Sequence, residues 1–183
     1  APYEQYVQSV ADLVQLAHAN GVAVEAEIGE LPTGSGGSPI PGGGSRTDPD
    51  AAARFVAATG VDVLCISVGN IHVMLHGEED LDLGLLAEIR NRVSIPLALH
   101  GGTGITESSL REAIRLGITK VAYGTYVKQR YLAAVRRALS SPEANPHKLL
   151  GIGGAEDVMV AGRLAVRDAI LERIGWLGCC GQA

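Results

Sequence analysis

The stretch that decides the fold is residues 96–104, PLALHGGTG. Its first five residues, 96–100, are an apolar run ending in histidine, and such a run predicts a short strand. A tight glycine turn follows at 101–104, and Thr106 then caps a predicted helix that ends near Gly117. A strand, a turn and a helix in this order predict one βα unit of a parallel sheet.

The same unit recurs along the chain. Strands are predicted at residues 22–28, 63–68, 96–100 and 119–123, and helices at 3–19, 48–59, 82–93, 106–116, 125–139 and 155–176. Polar residues follow the carboxyl ends of these strands, which is where (β/α)8 barrels of the TIM type keep their active sites. The sequence therefore predicts an α/β fold holding about half of such a barrel. A four-stranded arc would expose two edges and an apolar inner face. The chain could be a fragment of a larger barrel, pair with another half or close as an oligomer, and we expect the fragment.

The chain is predicted to form a single domain over residues 1–183. Residues 29–47 contain many of the glycines, serines and prolines and predict a flexible loop. Proline breaks near residues 142 and 146 precede the last helix, so residues 141–183 are predicted to be a C-terminal helical extension.

Composition excludes several classes of function. Hydrophobic residues make up 46% of the chain and the net charge is −5, so the chain is not intrinsically disordered. Since 15 basic residues face 20 acidic ones and no basic run occurs, we predict no nucleic-acid partner. No apolar stretch approaches the roughly 20 residues of a membrane span, so no membrane partner is predicted. Three cysteines make no disulfide framework, and a cytoplasmic location is expected.

Three side chains at the strand ends suit a divalent metal ion. His72 and His100 each lie just past a strand, and Glu27 lies on the same rim of the predicted sheet. A single histidine is more often a structural hydrogen-bonding residue, but two imidazoles and a carboxylate on one rim are a ligand set for an ion such as zinc.

Two glycine-containing turns predict a phosphate site. Gly101, Gly102 and Thr103 lie before a helix, where backbone N–H groups can bind an anion, although a turn needed only for its geometry is the alternative. Gly124 and Thr125 form a second such turn, and TIM barrels often bind phosphate in their last two βα loops. Lys120 is predicted near the start of its strand, on the wrong rim for Schiff-base chemistry.

These motifs carry a family resemblance. The segments VEAEIG (24–29), TDP (47–49), GNIH (69–72) and LHGGTGI (99–105) resemble class II, metal-dependent fructose-bisphosphate aldolases and their ketose-bisphosphate relatives. The resemblance covers nearly the whole chain and matches the later part of that family's barrel, from its fourth helix to its C-terminal helices.

The resemblance implies a role for each matching residue. His72 and His100 look like two of three histidines that hold a catalytic zinc ion, and Glu27 resembles the carboxylate of an alternative metal position. Gly101, Gly102, Thr103, Gly124 and Thr125 resemble the substrate-phosphate contacts, and Asn70 either joins these or orients its neighbouring metal ligand. In such lyases the metal polarises the ketose carbonyl and stabilises the enediolate formed on C–C cleavage.

The sequence also departs from the family pattern. Residues 31–46 contain no acidic residue, which leaves Glu30 as a displaced candidate for the proton-transfer acid and the catalytic acid–base residues unknown. Ala122 and Gly124 occupy positions where the family usually has Asn and Asp, and Val73 replaces a glycine. These departures leave three hypotheses open: a metal-dependent ketose-phosphate aldolase, a non-catalytic or re-specialised sugar-phosphate-binding homologue, and a purely structural half-barrel.

The first hypothesis is favoured. It predicts a cytoplasmic lyase of carbohydrate metabolism, in the manner of glycolysis, with a divalent metal cofactor, most often zinc in this family. A sugar-phosphate substrate and a homo-oligomer, dimer or tetramer, are the partners that the resemblance implies.

Overall fold

The computed structural model describes residues 2–29, 31–33, 44–154 and 156–182. Within these ranges the chain forms two compact units, one ending at Ala122 and one beginning at Tyr123. Each unit is described by itself below. That residues 1–183 behave as a single domain stays a prediction.

The first unit contains a parallel sheet and the helices that connect its strands. The strands, in the spatial order β1-β2-β3-β4, are β1 (Glu25–Glu27), β2 (Val63–Cys65), β3 (Leu97–Leu99) and β4 (Ile118–Val121). The helices are α1 (Tyr3–His18), α2 (Pro49–Thr59), α3 (Leu83–Arg92) and α4 (Glu107–Arg115). The predicted alternation of four parallel strands with helices is confirmed.

The strands are shorter than predicted, but their hydrogen bonding continues beyond the regular ladder. Past the end of β2, the N–H of Ile66 donates to the carbonyl of Ala98 at 3.1 Å. Past the end of β4, the N–H of Ala122 donates to the carbonyl of Leu99 at 2.8 Å. The chain therefore stays within the sheet up to the loops that carry the predicted site residues.

One face of the sheet forms part of the hydrophobic core. Leu64, Leu97 and Leu99 are fully buried, as are the helical side chains Phe55, Leu86, Ile89 and Leu110. Because side chains alternate along a strand, the residues between these leucines point to the opposite face. The Asp48 carboxylate accepts from the N–H of Ala51 and begins α2, as the predicted cap requires.

A register shift in β4 changes which side chain faces that opposite side. Leu97 pairs with Ile118, but Ala98 pairs with Lys120, so Thr119 is an extra residue in the ladder. The Thr119 hydroxyl donates to the carbonyl of Leu97 at 3.1 Å, which stabilises the irregular backbone. As a result Lys120 shares a face with Ala98.

The second unit consists of α5 (Thr125–Leu139), α6 (Pro146–Leu149) and α7 (Val158–Leu177). Helix α5 has the predicted bounds, and the short helix α6 was not predicted. Helices α5 and α7 approach closely at Gly162, where a Cβ atom would lie 2.4 Å from the ring of Tyr131. Near the end of α7 the Arg173 guanidinium lies 3.6 Å from the Trp176 ring centroid. None of the helices within the described ranges has the length and apolar character needed to cross a bilayer.

A buried carboxylate holds the start of α7. Asp157 is 1% exposed and accepts hydrogen bonds from four backbone N–H groups, those of Gly151, Gly153, Met159 and Val160. These bonds, the one from Gly153 above all, lower the pKa of Asp157 below its usual value of 3.8.

We expect Asp157→Asn to destabilise the protein at neutral pH. Because the folded-state pKa of Asp157 is lowered, its contribution is present above pH 3.8 and is lost as the pH falls through the folded-state value. Denaturant unfolding from pH 7 to pH 3 should therefore show the stability of wild type and variant converging in acid. Asp168→Asn, which removes an exposed carboxylate on α7, is the matched control and should change the stability little at neutral pH. A constant difference across this pH range would contradict the assignment.

Candidate active site

The face of the sheet opposite the leucine core carries a cluster of polar side chains. Glu27 pairs with Cys65 and Cys65 pairs with Ala98, so these residues point to one face. Glu25 lies two positions before Glu27 on that face, and His100 lies two positions beyond Ala98. The expectation of an apolar inner face was therefore wrong for the outer strands, where Glu25, Glu27 and Lys120 lie on this face.

The imidazole of His100 lies between two carboxylates. Its Nδ1 is 2.8 Å from Oε2 of Glu27, and its Nε2 is 3.0 Å from Oε1 of Glu25. The three side chains are between 23% and 29% exposed, so water screens these contacts less than at an open surface. The structure thus brings together His100 and Glu27, two of the three predicted metal ligands.

Glu25 connects His100 to a lysine on the last strand. The Nζ of Lys120 donates to both carboxylate oxygens of Glu25, at 2.8 and 2.9 Å. Burial by itself raises the pKa of Glu25, but the hydrogen bonds from Lys120 and His100 outweigh it and lower the pKa below its usual value. Glu25 therefore stays ionised at neutral pH and can accept from both Lys120 and His100.

The sequence patterns did not predict Glu25 and Lys120 as site residues. Lys120 was placed near the start of its strand and on the wrong rim, whereas it is the third of four residues in β4 and its ammonium reaches Glu25. The available signal was the i, i+2 spacing of Glu25 and Glu27, which puts both carboxylates on one face of a strand.

Cys65 completes a group of three potential metal donors. Among the described residues, ligand atoms of Glu27, Cys65 and His100 lie within 4.8 Å of one another. Cys65 is fully buried, and burial, reinforced by the nearby negative charge of Glu27, raises the pKa of its thiol to about 12. Cys65 lies within the apolar run of residues 63–68, and nothing in that pattern marks it as a metal ligand.

His72 lies close to His100 but outside that three-residue group. The two imidazole rings have centroids 6.1 Å apart and are nearly parallel, with 16° between their planes. The backbone N–H of His72 donates to the carbonyl of Pro32 at 2.8 Å, and Thr33 pairs with His72 in an isolated bridge. The two histidines are therefore neighbours, and a common ion for both stays a prediction.

Asn70 links the two loops that carry the histidines. It is 1% exposed, and its Oδ1 accepts from the N–H of Val68 at 2.8 Å. Its Nδ2 donates to the carbonyls of Ile66 at 3.1 Å and His100 at 2.9 Å. These contacts fit a positioning role for Asn70 rather than the direct substrate contact that was the other expectation.

The glycine turn after β3 fits tightly against the loop that carries His72. Gly101 has a φ of +64°, and a Cβ atom there would lie 2.4 Å from the carbonyl oxygen of Ile71. The N–H of Gly102 donates to the carbonyl of Ala122 at 3.0 Å. Gly102 was predicted to offer this N–H to a phosphate, but the sheet already uses it. Thr103, the third residue of the predicted contact, is half-buried in the same turn.

The two helices that follow the glycine turns have different N-termini. At α4 the Thr106 side chain accepts from the N–H of Ser109 and donates to Asp80, and Glu107 adds a negative charge. Helix α5, which follows Gly124 and begins at Thr125, has no side-chain cap among the described residues and no acidic residue in its first turn. The start of α5 is thus the more favourable of the two for an anion.

The predicted flexible loop is covered only in part. Glu30 and residues 34–43 lie outside the described residues, and so does any role of Glu30 as a proton-transfer acid. At the end of this segment, the N–H of Thr47 donates to the carbonyl of Ser67 and its hydroxyl accepts from the N–H of Ser67.

Comparisons with known proteins identify sequence relatives over the whole chain. The profile of the family described as fructose-bisphosphate aldolase class-II matches residues 1–182. The fructose-bisphosphate aldolase of Geobacillus stearothermophilus is 33% identical over 100% of this chain and 61% of its own length. The uncharacterized protein YdjI of Escherichia coli K12 is 32% identical over 99% of this chain and 61% of its own length. The chain therefore spans about three fifths of these curated relatives.

Solved structures agree with the sequence relatives. The crystal structure of the YdjI aldolase from Escherichia coli K12 has a TM-score of 0.79 at 31% identity, covering 100% of this chain and 60% of that chain. The aldolase of Campylobacter jejuni shares the fold, with a TM-score of 0.68 at 20% identity over 96% of this chain and 56% of that chain. The predicted fold class, part of a TIM barrel of this type, is confirmed.

We expect Asn70→Ala to destabilise the first unit by about 2–3 kcal/mol, because three buried or part-buried backbone groups lose their partner at once. Urea unfolding measures this loss directly. The matched control is Asn20→Ala, whose side chain is exposed and donates only to the carbonyl of Leu16. Equal losses for both variants would contradict a positioning role for Asn70.

Proposed function

Because this chain belongs to the class-II fructose-bisphosphate aldolase family, we propose that it is a metal-dependent aldolase acting on a ketose phosphate. The family and its homologues are aldolases, so the enzyme class is that of an aldehyde-lyase. The observation that carries the proposal is the position of the His100 imidazole between Glu25 and Glu27, beside a second imidazole. A cytoplasmic location, a role in carbohydrate metabolism and a homo-oligomeric state belong to the same proposal.

The donor set fits a divalent metal ion. Imidazole nitrogen, carboxylate oxygen and thiol sulfur, which are the ligand types that zinc takes in proteins, lie within 4.8 Å of one another at His100, Glu27 and Cys65. His72 lies close enough to His100 to add a second imidazole. When bound, the metal would act as a Lewis acid on the ketose carbonyl.

Glu25 and Lys120 orient the His100 side chain for metal binding. With an ion bound, the ring nitrogen that faces Glu27 would be its ligand, and the other nitrogen would carry the proton and donate it to Glu25. A carboxylate behind a ligating histidine fixes the ring and makes it more basic. Lys120 keeps Glu25 in position by contacting both of its oxygens.

Two turns are proposed to bind the substrate phosphate groups. In the second unit the proposed contact is the start of α5 at Gly124 and Thr125, which has no side-chain cap among the described residues. In the first unit, Gly101 and Thr103 are the remaining candidates, because the N–H of Gly102 donates to Ala122. The acid–base residues of the reaction stay unassigned.

The direct experiment measures zinc content and cleavage of fructose 1,6-bisphosphate by the full gene product. We expect bound zinc, cleavage into two triose phosphates, loss of activity on chelation and recovery on adding zinc. His100→Ala should lower zinc affinity by about 100-fold or more, because it removes the ligand that both carboxylates orient. His147→Ala, an exposed histidine in α6, is the matched control and should retain zinc and activity.

Two results would contradict the proposal. Full retention of zinc in His100→Ala would exclude this residue as a ligand. Tight binding of sugar phosphates by the metal-loaded protein without any cleavage would instead favour a non-catalytic or re-specialised homologue.

Glu25→Gln tests the support of His100 separately. The glutamine keeps the size of the side chain but loses the negative charge, which leaves the Lys120 ammonium uncompensated near the metal position. We expect zinc affinity to fall by about 10- to 100-fold, measured by competition with a chromophoric chelator. Glu107→Gln, on the exposed side of α4, should leave the affinity unchanged. Equal affinities of wild type and Glu25→Gln would show that Glu25 does not support the metal ligand.

A further inference from the structure

We propose that Cys65 is a ligand of the metal ion, so that this centre combines imidazole, carboxylate and thiolate donors. The inference rests on the metal dependence proposed above and deepens it, because a sulfur ligand changes which ions the site prefers.

The register of the sheet places Cys65 in the cluster. Its strand lies between the strands of Glu27 and His100, with Cys65 paired to Glu27 on one side and to Ala98 on the other. Ala98 carries no donor atom, and His100 lies two positions beyond it on the same face of the sheet. Ligand atoms of these three residues lie within 4.8 Å of one another.

The surroundings of Cys65 differ from those of a cysteine that only fills space. A packing cysteine lies among apolar groups, whereas this thiol lies beside the Glu27 carboxylate and the His100 imidazole on the polar side of the sheet. It is fully buried, while the other two cysteines, Cys179 and Cys180, are exposed. Reagents in solution that react with thiols are therefore expected to modify Cys179 and Cys180 and not Cys65.

Coordination balances the charges at this position. The thiol would release its proton to solvent as the bond from Sγ to the ion forms, with no change of oxidation state. The resulting thiolate and the Glu27 carboxylate would then both contact a cation instead of each other. Because thiolate is a soft ligand, the site would favour zinc or cadmium over manganese or magnesium.

Cobalt substitution of the full protein tests this directly. With Co²⁺ as the probe, a thiolate ligand gives an intense sulfur-to-cobalt charge-transfer absorption in the near ultraviolet, which imidazole and carboxylate ligands do not give. We expect this band in the wild-type protein and in the Cys179→Ser/Cys180→Ser control. We expect its loss in Cys65→Ser, with the visible d–d bands of bound cobalt retained.

Each outcome separates the two proposals. Visible cobalt bands without the charge-transfer band in wild type would overturn the role of Cys65 and leave the aldolase proposal intact. Failure of cobalt to bind at all would overturn both. A charge-transfer band that disappears in the Cys179→Ser/Cys180→Ser control would assign the sulfur to the tail and overturn the role of Cys65.

Ion selectivity gives a second measurement that does not depend on spectra. In Cys65→Ala, which suits a buried position, cadmium affinity should fall by about tenfold or more while manganese affinity changes little. Equal changes for both ions would contradict sulfur ligation.

Discussion

The structure depends on one imidazole held between two carboxylates, His100 between Glu25 and Glu27. Ionisable groups on the partly buried face of a sheet are costly unless each one has a partner. The chain meets this requirement with a continuous series of contacts, from Lys120 to Glu25, to His100 and to Glu27. Removing one member leaves its neighbour with an uncompensated charge, so the site is expected to respond as a unit.

The fold positions this series through register rather than through long loops. Adjacent parallel strands align Glu27 with Cys65, and the extra residue Thr119 brings Lys120 onto the same face. Asn70 then ties the loop before His72 to the backbone of His100, and Gly101 allows the two loops to pack without a side chain between them. The geometry of the site is therefore built from the sheet and two short connections.

Sequence patterns predicted the elements better than the directions of side chains. The helix at 125–139 was predicted with its observed bounds, since a glycine precedes it and apolar residues recur at helical spacing. His100 and Glu27 were found because they follow apolar runs. Cys65 was not predicted as a site residue. A short apolar run does not show which face of the sheet each residue takes, because neighbouring strands fix the register. The use of the Gly102 N–H by Ala122 likewise depends on a strand distant in sequence.

The most direct test of the account is a crystal structure of the zinc-loaded full protein, with anomalous diffraction recorded at the zinc absorption edge. The account predicts an anomalous peak in contact with His100 and Glu27, with Glu25 still bonded to the other nitrogen of the His100 ring. Zinc bound elsewhere, with the His100 ring still bridging the two carboxylates, would contradict it.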